Sequence, residues 1–187
     1  GLPVGPHTPP AELDRAINSV LETRDAIGPE GNLMTDCVSR NGTVEWAVPF
    51  AERLRPANLY FMEDPIQIDT ITTQAEIAKR IPVPLANGER NTTIWEFREL
   101  LERGGPQYVR PDLGMAGGLT HCKKIAAIAE AYHSAVVTHN FLGPPVTAAS
   151  LHLDASIPNF ITQEYTKQDE TERFAVYKVA HQRQGGY

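Results

Sequence analysis

Several things that would simplify the reading of this chain are missing. No apolar run exceeds a few residues, which excludes a bilayer-spanning helix. No block of like charge is present, and acidic residues outnumber basic ones by 23 to 17, for a formal charge of −6. A nucleic-acid partner, which needs clustered Lys and Arg, is therefore not expected, nor is a membrane surface. Only two cysteines occur, Cys37 and Cys122, on dissimilar segments. A disulfide framework is not expected, and a reducing, cytoplasmic setting fits that usage. No G-x-G-x-x-G is found, so a dinucleotide site has no mark. The first ten residues carry four prolines and neither a basic stretch nor an apolar core, so they read as a loop or linker rather than a signal peptide.

What is present is enough for a core. Of 187 residues, 41% are hydrophobic, consistent with one folded domain or a large piece of one. Helix-like segments alternate with short apolar runs. Leu13, Ile17, Val20 and Leu21 recur at helical spacing over 11–27, stopped by Gly28-Pro29. Further helices are expected over 44–54, 70–80, 93–103, 119–132 and around 146–155. The fourth opens on Thr93-x-x-Glu96, a capping-box spacing, with Ile94, Phe97, Leu100 and Leu101 as its apolar face, and stops at Gly104-Gly105. The fifth places Cys122, Ile125, Ala126 and Ala129 on one face. Strands are expected at 32–36, 59–63, 84–89, 108–112, 135–140 and 160–165. Six strand–helix units without hairpin signals predict an α/β fold with a parallel sheet, either doubly wound or a (β/α)₈ TIM barrel.

The strand ends carry the chemistry. They fall at Asp36, Glu63, Glu89, Asp112, His139 and Glu164, at intervals of 27, 26, 23, 27 and 25 residues. In a parallel barrel all six would meet at one mouth; a doubly wound sheet would spread them along a crevice. Three carboxylates brought together raise one another's pKa, a penalty that a hard, oxygen-seeking cation such as Mg²⁺ removes. Asp112 and His139, on neighbouring strands, suit a carboxylate–imidazole pair in which one ring nitrogen is fixed and the other is free as acid or base. Glu164 would act from the far side of the substrate. Taken singly, a carboxylate at a strand end is more often a helix cap or a solvated loop residue; the recurrence of six such residues at one period is what points to a site. Cys37, Trp46 and Trp95 are expected to pack structurally, His121 and His133 to be surface or packing residues, and Gly117-Gly118 to form either a tight turn or an anion-binding nest.

The motifs Met62-Glu63-Asp64-Pro65, Gly88-Glu89-Arg90, Arg110-Pro111-Asp112, Ala116-Gly117-Gly118-Leu119-Thr120, Thr138-His139-Asn140, Leu142-Gly143-Pro144 and Gln163-Glu164 resemble the barrel domain of the enolase superfamily. Within it they are most similar to the acid-sugar dehydratases of the galactonate dehydratase type in the mandelate racemase/muconate lactonizing branch. The resemblance runs from about residue 15 to residue 166. It implies a partial TIM barrel of about six βα units over 11–166, equivalent to strands 3–8 of the family barrel, without the family's capping domain. It implies Mg²⁺ held by Asp36, Glu63 and Glu89, and a catalytic pair of Asp112 and His139. Glu164 would bind the substrate carboxylate or the enediolate made from it, with Arg40 and Asn140 as further substrate-binding residues. The implied activity is dehydration of a small-molecule sugar acid by a homo-oligomeric lyase. The alternatives are a racemase or epimerase of the same superfamily, or an inactive truncated barrel. Two departures accompany the resemblance. Val38 stands where galactonate dehydratase-like members carry a His, and the tail 167–187 matches no closing segment of the family. Six units also leave raw strand edges, so this stretch is read as part of a larger assembly.

Overall fold

The computed structural model describes residues 1–37, 42–66, 70–166 and 177. Val38, Arg40 and the tail expected over 167–187, Tyr177 excepted, lie outside the described residues. The elements follow in the order α1 (Pro10–Ile27), β1 (Met34–Asp36), α2 (Val44–Arg53), β2 (Phe61–Glu63), α3 (Ile71–Ala78), β3 (Leu85–Asn87), α4 (Ile94–Glu102), β4 (Tyr108–Val109), α5 (Gly118–Ala131), β5 (Ala135–Thr138), α6 (Pro144–Asp154) and β6 (Phe160–Gln163). The chain divides into two compact units. One is formed by 1–87 with 99–108, the other by 88–98 with 109–187.

In the first unit, β1 pairs in parallel with β2, and β2 with β3. The register sets Asp36 opposite Glu63. Behind this sheet Ile17 and Val20 of α1 join Phe50, Ala51, Leu54, Leu59, Met62 and Val83, with Leu13 and Leu21 packed against them. The expected apolar stripe of α1 is the face that is buried. Val4 belongs to the same core, and the Leu2 N–H donates to the Asp36 carbonyl at 2.6 Å, so the proline-rich start is packed down onto β1. Cys37 is buried in this core. Burial first, then the nearby carboxylates of Asp36 and Asp64, pushes its thiol far above the ordinary range, as suits a packing residue.

The second unit repeats the pattern. Its β5 pairs in parallel with β6, and Asp112 bridges to His139 in the same sense. Helix α5 buries Cys122, Ile125, Ala126 and Ala129, the face read from the sequence, and packs against β5 and α6. Gly117 caps α5 with φ +85°, and a Cβ there would meet the His121 ring at 2.7 Å. The Gly118 N–H is spent on the Leu113 carbonyl at 2.9 Å, which makes this segment a tight turn.

Helix α4 starts where its sequence says it should. Glu96 accepts from the Thr93 N–H at 2.8 Å, and the Glu96 N–H donates to Thr93 Oγ1 at 3.3 Å, a reciprocal capping box. Phe97, Leu100 and Leu101 are buried and Ile94 is half-buried. The stop at Gly104-Gly105 closes back on the Leu101 and Leu100 carbonyls. Trp95 departs from its expected packing role: it lies on the solvent side of α4, 59% exposed. Trp46, by contrast, stacks on Phe50 with ring centroids 4.8 Å apart. All six strand–helix units are therefore present as expected, and the fold is α/β, of the (β/α)₈ barrel type in part.

Candidate active site

Strand ends position most of the candidate residues, because a short parallel strand projects its last side chains into the loop region that follows. In the second unit, β4 leads into Arg110-Pro111-Asp112, β5 into His139-Asn140 and β6 into Glu164. The His139 N–H donates to the Pro111 carbonyl at 3.2 Å, and the Glu164 N–H to the Thr138 carbonyl at 3.4 Å, so ladder-type bonds hold these three ends beside one another.

Asp112 is fully buried. Its Oδ1 accepts from the Gly114 N–H at 2.7 Å and the Met115 N–H at 3.2 Å, while Oδ2 lies 2.7 Å from His139 Nδ1. Two fixed backbone donors thus aim the second oxygen at the imidazole. That contact puts the neutral ring's proton on Nδ1 and leaves the Nε2 lone pair outward. His139 Nε2 lies 3.4 Å from Glu89 Oε2 and 4.0 Å from Glu164 Oε2. Burial would lower the His139 pKa, but the hydrogen bond to Asp112 and the charges of Glu164 and Glu89 outweigh it and raise the pKa above its ordinary value.

Glu164 Oε2 accepts from Arg110 Nη2 at 2.7 Å and from the Asn140 N–H at 2.9 Å. Arg110 is 4% exposed, which makes this pair a buried clamp on the carboxylate. Arg110 is not among the site residues expected from the sequence. A signal was available: it stands two residues before Asp112, the spacing that returns a strand side chain to the same face. The Asn140 side chain is buried, its amide donating to Thr147 Oγ1 at 2.8 Å and to the Glu164 carbonyl at 3.2 Å. It bears on the site through Glu164.

In the first unit, β1 and β2 end on the register pair Asp36 and Glu63. Glu63 and its neighbour Asp64 are both buried, with carboxylate oxygens within 4.8 Å of each other. Asp64, at φ 42°, accepts from Asn87 Nδ2 at 2.6 Å, which fixes it at the edge of this acidic end; the sequence carried no sign of that contact. A donor set made only of carboxylate oxygens, partly withdrawn from water, has the chemistry that a hard divalent cation takes. These residues fit Mg²⁺.

A parallel βα repeat with a buried Asp–His pair and acidic strand ends defines a class, the barrel domains of enolase-like enzymes. The chain belongs to the enolase C-terminal domain-like family, whose model matches residues 3–187. It is 34% identical to a D-galactonate dehydratase of Cronobacter sakazakii over 182 residues, covering 94% of this chain and 47% of that protein. It is 35% identical to a D-galactonate dehydratase of Ralstonia pickettii over 181 residues, with the same coverage of 94% and 47%. Among solved structures, a mandelate racemase/muconate lactonizing enzyme-type protein of Labrenzia alexandrii superposes with a TM-score of 0.87 at 30% identity, over 98% of this chain and 48% of that one. The chain thus spans about half the length of the curated relatives it matches.

Proposed function

We propose that this chain is the catalytic part of a Mg²⁺-dependent lyase that dehydrates a sugar acid of the aldonate class, by removing the proton α to its carboxylate. The observation that carries this reading is the Asp112–His139 pair, with Nδ1 held at 2.7 Å and Nε2 directed away from Asp112. An imidazole fixed in this tautomer is a base with its lone pair already aimed. The dehydratase relatives support the choice of reaction class.

A proton α to a carboxylate is a very weak acid, so abstraction succeeds only where the developing dianion, an enediolate, is stabilised by fixed charges and donors. Asp36, Glu63 and Glu89 would hold Mg²⁺, which when bound supplies positive charge toward the substrate carboxylate. His139 takes the α-proton at Nε2. Asp112, buried and held by two backbone N–H groups, then faces the imidazolium that forms. Glu164, steadied by Arg110 and the Asn140 N–H, stands toward the substrate carboxylate and the enediolate made from it. Departure of the β-hydroxyl completes the dehydration, with His139 as the group able to return a proton. Arg40 would add a cationic contact to the substrate. A racemase or epimerase shares the first step and differs only in where the proton returns; Val38, in place of a second acid, favours that alternative.

The test is turnover by the full-length protein on a panel of aldonates with Mg²⁺, following formation of the 2-keto-3-deoxy acid. Dehydration of one or more aldonates supports the reading. Inversion at the α-carbon without loss of water would replace it by the racemase reading, and no reaction with any sugar acid would overturn both.

A further inference from the structure

On the helix side of β5 and β6, turned away from His139, lies a set of buried polar groups that the proposed chemistry does not use. Thr138 and Gln163 are register partners in the β5–β6 pair. Asp154, the last residue of α6, is 5% exposed and lies against Thr138, with its carboxylate oxygens 3.2 and 3.3 Å from Thr138 Oγ1. The same Oγ1 lies 2.7 Å from Gln163 Oε1. Gln163 Nε2 donates to the Glu164 carbonyl at 2.6 Å.

Hydrogen counting decides the arrangement. The Thr138 hydroxyl has one hydrogen and here meets two acceptors, the Asp154 carboxyl and the Gln163 side-chain oxygen. Turning the Gln163 amide around would relieve Thr138 but would set two oxygens against each other at the Glu164 carbonyl. An ionised Asp154 would then leave one short oxygen–oxygen contact without a hydrogen, in a buried place where that is costly. A proton on Asp154 supplies one hydrogen between Asp154 and Thr138 and frees the Thr138 hydrogen for Gln163.

We propose that Asp154 is a positioning residue held as a neutral acid. It donates to Thr138, Thr138 donates to Gln163, and Gln163 donates to the Glu164 backbone, so that one ordered chain of hydrogen bonds sets the ends of β5 and β6. Those ends carry His139 and Glu164, and the functional consequence rests on the dehydratase reading above. Burial, only partly offset by the Thr138 hydroxyl, pushes the Asp154 carboxyl up to about 7, in keeping with this proton.

Three measurements on the full-length protein test it. Carboxyl ¹³C spectra just below neutral pH should show one aspartate in its protonated form, lost in Asp154→Asn; an Asp154 signal that is already carboxylate there overturns the proposal. The Asn140 amide proton, bonded to Glu164, should keep its chemical shift in Asp154→Asn, which can still donate, and move in Asp154→Leu. An unmoved shift in Asp154→Leu overturns the positioning role, and if that variant does not fold, Thr138→Val breaks the same chain and is read in the same way. Turnover in Asp154→Leu should fall about tenfold or more in kcat with little change in KM, and return to near wild type in Asp154→Asn; equal losses in both variants count against the proposal. Should the wild-type protein act on no sugar acid, the dehydratase reading fails while the two spectroscopic measurements still decide this one.

Discussion

Replacing Asp112 by Asn should silence proton abstraction while leaving the fold intact, and the structure says why. Oδ1 of Asp112 accepts from the Gly114 and Met115 N–H groups, so the carbonyl oxygen of an Asn must take that position. Its NH₂ group then faces His139 Nδ1, where Asp112 Oδ2 now lies at 2.7 Å. An amide donor there makes Nδ1 an acceptor and moves the ring proton to Nε2, the atom proposed as the base. The site would hold the wrong tautomer without any gross displacement. In a Ser-His-Asp triad the equivalent change costs about 10⁴ in kcat, and a loss of about 10³–10⁴-fold is expected here. The assay is exchange of the substrate α-hydrogen with D₂O, read beside the ¹⁵N shifts of the His139 ring. A variant that exchanges within tenfold of wild type, with its ring proton on Nε2, would refute the reasoning.

Other expectations concern stability. Arg24, buried on α1, donates to the carbonyls of Ala57, Gly28, Gly31 and Asn58. Arg24→Met should cost about 3–5 kcal/mol in urea denaturation, because four carbonyls lose a charged donor; a cost under about 1 kcal/mol would contradict this. Gly88 has φ +128°, and a Cβ there would lie 2.6 Å from Phe97 Cε1 and 3.2 Å from the Arg110 nitrogen, so Gly88→Ala should lose about 2–4 kcal/mol and lower Tm. Burial acts to raise the Glu96 pKa, but its hydrogen bonds from Thr93 and Thr92 outweigh this and lower it. The folded-state pKa is depressed, so the associated stability is present above the ordinary carboxylate range and lost as pH falls through the folded value. Glu96→Gln should therefore cost about 1 kcal/mol at neutral pH and almost nothing in strong acid.

The sequence made the backbone plan legible because that plan is written in local terms. Apolar spacing, Gly stops and the Thr93–Glu96 box decide helices within a few residues of chain, and acidic residues recurring about every 25 residues mark successive strand ends. Asp112 and His139 were visible for the same reason: each falls just past the end of a strand, and the two meet in a parallel bridge. Arg110, Asp64 with Asn87, Arg24 and Asp154 were not seen, since their roles depend on what another segment brings to them. Arg24 reads as one more polar residue of an amphipathic helix until the Ala57 and Asn58 carbonyls meet it. Asp154 reads as a helix-end carboxylate until Thr138 closes over it. Trp95 misled in the opposite direction: aromatic bulk suggested packing, while its place on α4 turns it to solvent.

Base assignment is the central claim, and solvent exchange in a His139→Asn variant tests it most directly. The full-length protein, with Mg²⁺ and an aldonate that the wild type turns over, is incubated in D₂O, and deuterium at the substrate α-carbon is followed by NMR. His139→Asn is expected to abolish incorporation while the variant still binds Mg²⁺, because the proposed ligands Asp36, Glu63 and Glu89 are unchanged. Incorporation at the wild-type rate would mean that another group removes the proton, and would contradict the account.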